Sequence, residues 1–594
     1  MLCSAGKACR PKCVAISLIA PLNGVKPDTS PTCYTVSSAM LKTQWSRFFS
    51  VLMMVTSMWL TGCASLPSDV QRPFSNALEN NSDTRLGSVV AARARAATTL
   101  NDSGFALVGN AELAFTSRMA LIKAAEKTLD LQYYAIHADD TTARLFDALR
   151  QAADRGVRVR ILLDDFNTAG ENAQILKFAF EKNVEMRLFN PLPSSRGSGL
   201  FRIVSSLGDA ARLQRRMHNK IFVADNAVAI TGGRNLGDTY FGQSDGVNFV
   251  DIDVLAAGRI TRDLSRSFDQ YWNNPLAYPV QSLMSVQDIE ALKVKPVASS
   301  AASPESPVPP AVPSKDESAL PHKSTVTRMV VDTAGMTTTV AALPDSTDLR
   351  MLSWTWAAAT MLADKPTKVA EDADTTEESN DTTVDGLLSL MAGAKTDLLV
   401  VSPYFVPGAE MMKQFADIKR RGVRVRVLTN SLASNDAVAA HAGYARYREA
   451  LIAMGVEIYE MRSEQRGTIS SFGSGSGSAG RSGGASRASL HAKAVVVDNR
   501  LLVIGSMNLD LRSKLQNSVV AIAIRNRKLA NEATALIEPG LSTGAYRVEL
   551  QAGRLIWRAP AGSGLPDATS EPDASLGLKM LVRAISPFAP DEML

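Results

Sequence analysis

The chain has 594 residues, a hydrophobic content of 45% and a formal net charge of +5. This length exceeds one ordinary domain, so we expect at least two domains with packed cores. The charge is small for the length, which argues against a dedicated nucleic-acid binder and fits weak attraction to an anionic surface.

All five cysteines lie near the start of the chain, at Cys3, Cys9, Cys13, Cys33 and Cys63. Residues 64–594 contain none, which excludes a disulfide scaffold, a cysteine nucleophile and a thiolate metal site from the main body. The chain has only five histidines, which argues against a histidine-rich metal centre. We predict no metal and no other cofactor, although these counts bear only on thiolate and histidine-rich metal sites.

A secretory signal peptide is predicted at residues 40–62. Two basic residues precede an apolar run of thirteen residues, Phe48 to Leu60. The run is short for a bilayer span and has the layout of a signal peptide, although an uncleaved membrane helix or a buried segment is the alternative. The ending LTGC resembles a bacterial lipoprotein box, which implies that Cys63 becomes the first mature residue and carries a lipid anchor.

These features predict a cell-envelope lipoprotein on the periplasmic face of a membrane. Residues 1–39 would then be an over-extended start, with Met40 as the initiator. Ala64 follows the cysteine in place of the aspartate that often retains such proteins at the inner membrane, so we favour the outer membrane. A multiply acylated cysteine would anchor the protein firmly in the membrane, since each CH₂ buried in the bilayer contributes roughly 0.8 kcal/mol to the free energy of binding.

Two parts of the chain share a strand–helix–strand pattern. In the first, LDLQYYAI (129–136) precedes a helical pattern at 143–153 and then RGVRVRILLDD (155–165). In the second, DLLVVSPYFV (397–406) precedes EMMKQFADIKR and then RGVRVRVLTN (421–430). This order predicts parallel strands joined by a right-handed crossover. We therefore predict an α/β fold made of two duplicated sandwich halves with pseudo-two-fold symmetry.

The first domain is predicted to cover residues 63–292 and the second residues 325–594. Between them, residues 293–324 are rich in Pro, Ala and Ser, cannot support a packed core and are predicted to form a linker. A Gly- and Ser-rich segment at 470–486 lies just before His491. It is predicted to be a flexible loop that either gates a site or is a tolerated insertion.

One residue pattern occurs once in each half, in RMHNKIFVADNAVAITGGRN (216–235) and SLHAKAVVVDNRLLVIGSMN (489–508). Each copy has a histidine followed at fixed spacing by a lysine, an aspartate and an asparagine. The residues are His218, Lys220, Asp225 and Asn235 in the first half, and His491, Lys493, Asp498 and Asn508 in the second. A single histidine on a strand is commonly structural, as we predict for His137 and His441, but two copies with identical spacing favour function.

The local pattern separates the aspartates from the other motif residues. Histidine and lysine two positions apart on a strand face the same side. The aspartate would lie about 23 Å further along an extended strand. Asp225 and Asp498 each precede an asparagine in a turn-type pair, so we expect them to support the scaffold. The returning strand is expected to bring small and amide residues beside each histidine: Gly233 and Asn235, or Ser506 and Asn508.

An imidazole, an ammonium group and an amide in one place suit a phosphate. Lysine and asparagine donate to its oxygens and stabilise the charge of the transition state. Imidazole serves as a nucleophile or as a proton carrier near neutral pH. One set is incomplete for breaking a phosphodiester, whereas two facing sets supply a nucleophile and an acid. We infer that the two copies are halves of one shared active site.

The motifs HNKIFVAD…GGRN and HAKAVVVD…GSMN resemble the two HKD motifs of the phospholipase D superfamily. The resemblance covers most of residues 85–590, and segments such as SPYFVPG and GSMNLDLRS are similar to the short bacterial cardiolipin-synthase-like branch. It implies a phosphatidyl transferase that acts on phospholipids, moving phosphatidyl from phosphatidylglycerol to the headgroup alcohol of a second lipid.

The resemblance also implies a covalent phosphohistidine formed without a metal. His218 would be the nucleophile, and His491 would protonate the departing glycerol and then activate the acceptor hydroxyl. The phosphate would be held by the lysines and asparagines of the motifs: Lys220, Lys493, Asn235 and Asn508. Gly233 and Ser506 are predicted to bind it as well. Relatives often place an acidic residue downstream of each motif to orient a histidine. The first half offers Asp253, with Asp251 beside it, but the second half has Val519 at the expected position.

Other functions remain open from the sequence. A phospholipase D or a nuclease would use the same site with water as acceptor. The segment ARLQRRMHNK (211–220) is basic, but the modest overall charge disfavours nucleic acid. A non-catalytic envelope binding protein is disfavoured because both motifs are intact. The expected partners are phospholipids and, through Cys63, a membrane, whereas the chain does not indicate a protein partner.

Overall fold

The computed structural model describes residues 66–97, 103–192, 196, 210–244, 246–291, 328–331, 337–340, 346–370, 382–465, 486–587 and 590–591. The predicted signal peptide, Cys63, the linker 293–324 and all but the last residue of the loop 470–486 lie outside the described residues. Among the helices that are described, none combines the length and the apolar character needed to cross a membrane.

The first half begins with α1 (Arg85–Ala96), β1 (Ser103–Val108), α2 (Ala111–Ala124), β2 (Thr128–Tyr133), α3 (Asp140–Asp154), β3 (Arg158–Asp164), a 3₁₀ helix (Gly170–Phe180) and β4 (Val184–Phe189). It continues with α4 (Ala210–Gln214), β5 (Ile221–Ala224), β6 (Val228–Gly232), a 3₁₀ turn (Asp238–Tyr240), β7 (Val247–Val250), β8 (Asp253–Gly258), α5 (Arg259–Trp272), β9 (Ala277–Pro279), α6 (Val280–Leu283) and α7 (Val286–Ala291).

A two-stranded sheet follows, of β10 (Arg328–Val331) and β11 (Thr337–Val340). The second half then contains 3₁₀ turns at Leu349–Met351 and Pro366–Val369, β12 (Thr355–Ala363), α8 (Thr383–Ala392), β13 (Asp397–Val401), α9 (Gly408–Arg420), β14 (Arg424–Asn430), α10 (Val438–Ala453) and β15 (Glu457–Met461). It ends with β16 (Glu464–Gln465), β17 (Ser486–Leu490), β18 (Ala494–Val497), β19 (Leu501–Gly505), α11 (Leu511–Leu515), β20 (Val520–Arg525), α12 (Arg527–Ser542), β21 (Ala545–Gln551), β22 (Arg554–Arg558) and α13 (Leu576–Ile585).

The predicted strand–helix–strand units are confirmed in both halves. β2 and β3 are parallel with α3 between them, and β13 and β14 are parallel with α9 between them. The Asp139 side chain accepts a hydrogen bond from the Thr142 N–H and starts α3. The repeated RGVRVR segment ends each helix at a glycine in the left-handed region, Gly156 with φ 94° and Gly422 with φ 79°. Each chain reversal then feeds directly into the next buried strand.

The two halves repeat the same strand order. It is β8–β6–β5–β2–β3–β4–β9 in the first half and β20–β19–β18–β13–β14–β15–β21 in the second. β1 extends the first sheet beside β8, and β12 extends the second beside β20. β1 and β12 also pair with each other, with Ser103 opposite Ala357. The chain is therefore a duplicated α/β fold whose two sheets are joined edge to edge.

Three large apolar clusters form the cores, and one of them joins the two halves. One contains buried side chains of the first half alone, such as Leu131 and Leu149, and another those of the second half, such as Val400 and Phe415. The third is shared, because Val223 and Ile260 of the first half pack in the same cluster as Val496 of the second. Burial of apolar surface in this shared cluster favours association of the halves.

Asp225 and Asp498 each hold three consecutive backbone N–H groups. The Asp225 carboxylate accepts from Glu126, Lys127 and Thr128 at 2.8–3.2 Å. The Asp498 carboxylate accepts from residues 395–397 at 2.7–3.1 Å. Both aspartates have a φ of 51°, which suits the Asp-Asn turn. They tie the hairpin that follows each motif histidine to the start of the first parallel strand.

We expect Asp225→Ala to destabilise the fold more than Asp498→Ala. Asp225 and Thr128 are buried, so loss of the carboxylate leaves the Thr128 N–H away from water, at a cost of about 2–3 kcal/mol. Lys395 and Thr396 lie at an exposed site where water can replace Asp498, so a loss of about 1 kcal/mol is expected. Both substitutions place alanine at the same φ, so each controls for backbone strain in the other. Urea denaturation measures the difference, and equal losses would contradict the burial argument.

Candidate active site

Each motif histidine is anchored by the backbone of the opposite half. His218 lies between α4 and β5, and its N–H donates to the Ser518 carbonyl at 2.8 Å. His491 lies between β17 and β18, and its N–H donates to the Val250 carbonyl at 2.8 Å. The second contact continues a parallel pairing in which Leu490 lies opposite Val250. The two histidine segments therefore cross from one half to the other in the same way.

The carboxyl ends of two equivalent strands fix the residue before each histidine. At the end of β3, the Asp164 carboxylate accepts a hydrogen bond from the Met217 N–H at 2.8 Å. At the end of β14, the Asn430 side chain accepts from the Leu490 N–H at 2.8 Å and donates to the Leu490 carbonyl at 2.9 Å. All four of these residues are buried. Asp164 and Asn430 close the repeated segments RVRILLD and RVRVLTN, which is the sequence signal that marks them.

The two imidazoles differ in the partner of Nδ1. In His218, Nδ1 lies 3.0 Å from the Ser506 carbonyl oxygen, and in His491 it lies 2.7 Å from Oδ2 of Asp251. A carbonyl only accepts, so Nδ1 of His218 carries the proton and Nε2 keeps a lone pair. The Asp251 carboxylate also fixes the His491 tautomer, and it favours the protonated ring. The pair of histidines is therefore chemically unequal.

The absence of a side chain at Gly233 leaves room for the Asp251 carboxylate. A Cβ at Gly233 would lie 2.4 Å from Oδ1 and 2.6 Å from Oδ2 of Asp251. The equivalent residue of the second half is Ser506, whose hydroxyl accepts from the Val520 N–H at 3.1 Å. In the second half, Val519 stands at the position equivalent to Asp251, so no carboxylate needs space beside Ser506. Gly233 and Ser506 thus each lie beside a partner of a motif histidine, and their predicted contact with phosphate stays a prediction.

The two lysines lie in the same electrostatic environment as both histidines. Burial lowers the pKa of His218 well below its usual value, and Lys220, Lys493 and His491 lower it further. Burial, Lys493 and Lys220 likewise lower the pKa of His491. Burial lowers the pKa of Lys493 to about 8, against the opposing effect of Asp251. Burial and Lys493 lower the pKa of Lys220. The mutual influence of these cations shows that the two motifs form one site.

The lysine ammonium groups are held by their own segments. Nζ of Lys220 donates to the His218 carbonyl at 3.0 Å, and Nζ of Lys493 donates to the His491 carbonyl at 2.6 Å. Both side chains are almost fully buried, and each ammonium group has further N–H donors to offer. Buried cations with spare donors form a strong site for an anionic phosphate.

The two asparagines have different surroundings. The side chain of Asn235 accepts from the Ala135 N–H at 3.2 Å and donates to the Tyr240 hydroxyl at 2.9 Å. Oδ1 of Asn508 is buried and has no hydrogen-bond partner among the described residues. Asn235 therefore serves partly to position Tyr240.

No hydrogen bond or ion pair joins Asp253 to a histidine among the described residues. Its carboxylate lies 3.0 Å from Arg118 and 3.4 Å from Arg234, and all three side chains are buried. The carboxylate on His491 belongs instead to Asp251, two residues earlier. The expectation that Asp253 orients a histidine is thus wrong, because the chain leaves β7 at Val250 and enters β8 only at Asp253. In that gap, the Asp251 side chain reaches His491.

Aromatic side chains lie around the histidines, and the sequence motifs did not predict them. Tyr134 lies edge-on to His218 with ring centroids 4.9 Å apart. Tyr240 and Phe249 lie 5.3 and 4.9 Å from His491. The rings exclude water from the imidazoles, which explains part of the burial. Their sequence signal is weak, although Tyr134 ends the strand segment LDLQYY and Tyr240 follows the first motif.

No group of three or more His, Cys, Asp or Glu side chains in the described parts of the chain is arranged to hold a metal ion. The two histidines predicted to be structural lie apart from the motifs in sequence. His441 is fully buried and contacts Glu571 at 3.4 Å, whereas the His137 ring stacks on Tyr240 with centroids 6.1 Å apart. His137 thus supports a residue that contacts His491.

Comparison with known proteins agrees with this arrangement. The family model "Cardiolipin synthase, PLD-like domain" matches residues 119–272 and 387–539, one copy in each half. The chain belongs to this family of phospholipase D-like proteins. Cardiolipin synthase C of Escherichia coli is 34% identical over 481 residues, which cover 80% of this chain and 92% of that protein. Membership makes the chain a phosphatidyltransferase or phosphodiesterase of the phospholipase D superfamily.

A solved structure shares the fold of the cardiolipin synthase-like chain. Phosphatidylserine synthase of Haemophilus influenzae superposes with a TM-score of 0.50 at 12% identity. The match covers 82% of this chain and 95% of that one. The two-half architecture is therefore found in another solved structure.

We expect Gly233→Ala to lower phosphodiester turnover by about 100-fold or more, the usual effect of disturbing acid–base catalysis. The new methyl group displaces the Asp251 carboxylate from His491. The effect should not add to that of Asp251→Ala, because both substitutions break one contact. Gly246→Ala is the control, since its Cβ meets nothing nearer than 3.7 Å. Turnover at saturating substrate concentration measures the effect. Additive losses in the double variant Gly233→Ala, Asp251→Ala would contradict the shared cause.

Proposed function

We propose that the chain transfers phosphatidyl from phosphatidylglycerol to the headgroup hydroxyl of a second lipid. The observation that carries the proposal is that two unequal histidines and two buried lysines share one site. The similarity to cardiolipin synthase C supports the choice of lipid substrates and of transfer.

In the first step, Nε2 of His218 attacks the phosphorus atom. A bond from nitrogen to phosphorus forms, and the bond from phosphorus to the glycerol oxygen breaks. His218 suits this role because its Nδ1 proton is held by the Ser506 carbonyl and its low pKa keeps Nε2 unprotonated. Lys220 and Lys493 stabilise the negative charge that develops on the phosphate oxygens.

His491 suits the role of the acid. It gives the Nε2 proton to the departing glycerol oxygen, and the Asp251 carboxylate stabilises the protonated ring beforehand. Burial and the lysines lower the pKa of His491. A bound phosphodiester anion offsets the lysine charges and so favours protonation.

The second step reverses these roles. His491 accepts a proton from the acceptor hydroxyl, whose oxygen attacks phosphorus as the bond to His218 breaks. The product is a new phosphodiester, and both histidines return to their starting states. Water in place of the lipid alcohol would give phosphatidic acid.

Lipid analysis tests the proposal in a host that lacks cardiolipin. We expect the wild-type chain to produce cardiolipin, and neither His218→Ala nor His491→Ala to do so. His322→Ala, a histidine of the linker sequence outside both motifs, is the matched control. Phosphatidic acid alone would show hydrolysis, and unchanged lipids together with cleavage of DNA or RNA by the purified chain would show a nuclease.

A donor with p-nitrophenol as leaving group separates the two histidines, because this group departs without a proton. In this assay we expect His491→Ala to release one nitrophenolate per chain in a burst, and His218→Ala to release none. A burst in His218→Ala alone would reverse the assigned roles.

We also propose that a lipid on Cys63 anchors the enzyme on the periplasmic face of the outer membrane. The support is the lipoprotein-like LTGC sequence with Ala64 after it. Labelled palmitate should enter the wild-type chain and not Cys63→Ser, and the label should fractionate with outer membranes. Equal labelling of both chains would refute the anchor, and label in inner membranes would refute the location.

A further inference from the structure

The C-terminal helix α13 exposes an unusual concentration of large apolar side chains. Leu576, Met580 and Leu581 have exposed fractions of 74%, 61% and 46%. Only eight large apolar residues are exposed among the described residues, and the other five are distributed over other elements. Single exposed apolar residues are normal on a protein surface, but a contiguous group marks a contact site.

The opposite face of α13 accounts for its position in the fold. Val582 packs with Leu432 and Ala442, and Leu578 and Ile585 extend this contact. The Ser575 side chain caps the helix by accepting from the Leu578 N–H at 3.2 Å. Leu576, Met580 and Leu581 are not part of this apolar cluster. Met580 and Leu581 follow Leu576 by four and five residues, which places all three within one half of the helix surface.

Two cations border the apolar face of α13. Lys579 and Arg583 are four residues apart, and neither forms an ion pair within the described part of the chain. The nearby acidic residues Glu571 and Asp591 are instead paired, with Arg448 and Arg446. An apolar face beside unpaired cations is the pattern of helices that lie in the surface of an anionic bilayer.

The position of α13 relates it to the active site. Leu432, on which the helix packs, lies two residues after Asn430, whose side chain holds the backbone next to His491. The same loop contains Asp436, which accepts a hydrogen bond from the Tyr404 hydroxyl at 2.8 Å and opposes the lowering of the Lys493 pKa by burial. The helix therefore lies at the carboxyl ends of the parallel strands, where the site is.

We propose that α13 lies in the surface of an anionic phospholipid bilayer, with Leu576, Met580 and Leu581 among the acyl chains. The proposal rests on the proposed lipid substrate, because contact at this end of the sheet brings the site to phospholipids in the bilayer. Lys579 and Arg583 then contact lipid phosphates. A second copy of the chain is the competing occupant of this face.

Tryptophan fluorescence of the full-length chain tests the contact without relying on activity. We expect Leu581→Trp to shift to the blue and to be quenched by brominated lipids in phosphatidylglycerol vesicles, relative to the wild-type spectrum. Leu550→Trp is the matched control, an exposed leucine on β21 that should not respond. Lys579→Gln with Arg583→Gln in the Leu581→Trp chain should reduce the quenching at least two-fold. No response of Leu581→Trp to vesicles, or a shift that depends on protein concentration without lipid, would overturn the proposal.

Activity then links the helix to the reaction. The triple substitution Leu576→Ser, Met580→Ser and Leu581→Ser should lower turnover of phosphatidylglycerol in vesicles at least ten-fold. Turnover of a short-chain, water-soluble phosphatidylglycerol should stay within two-fold, because the site is intact. Equal turnover of vesicles by wild-type and triple variant would refute the role of α13. If vesicles quench Leu581→Trp but the wild-type chain makes no cardiolipin in the lipid assay, the bilayer contact stands and only the proposed function is refuted.

Discussion

The reciprocal backbone contact between the halves is the constraint on which the site depends. His218 donates its N–H to Ser518, and His491 donates its N–H to Val250, so each histidine takes its position from the other half. Neither half alone contains the acceptor for its own motif. The shared apolar cluster packs the two halves in one fixed register. A shift of one half against the other would break both backbone contacts.

Within this symmetric frame, the chemistry is asymmetric. The paired strands place Gly232 opposite Asp253 and Gly505 opposite Ala521, so Asp251 and Val519 are equivalent positions. Asp251 fills its position with a carboxylate, for which the missing side chain of Gly233 leaves space. A carbonyl serves His218 instead. Duplication thus supplies two similar imidazoles, and a few substitutions give them unequal Nδ1 partners, a carbonyl for His218 and a carboxylate for His491.

Much of the architecture was predictable from local patterns. The RGVRVR segments predict the helix end and the buried parallel strand because glycine permits the left-handed turn there. The spacing of His218 and Lys220 predicts a common face from strand geometry alone. The choice of Asp251 over Asp253 was not predictable, because it depends on a break between two strands and on contact across the halves. The same holds for Tyr240, whose proximity to His491 joins segments about 250 residues apart.

The pairing of β1 with β12 has a consequence for how such a chain could have arisen. Each strand would be the outermost of its sheet in a separate half, with a row of unsatisfied amides and carbonyls open to other polypeptides. An ancestral protein with a single half would have needed a second copy to cover this open sheet edge and to complete the active site. Fusion supplies the second copy within one molecule, at a fixed one-to-one ratio. Within that one molecule the two copies differ, with valine at position 519 and a carboxylate at position 251.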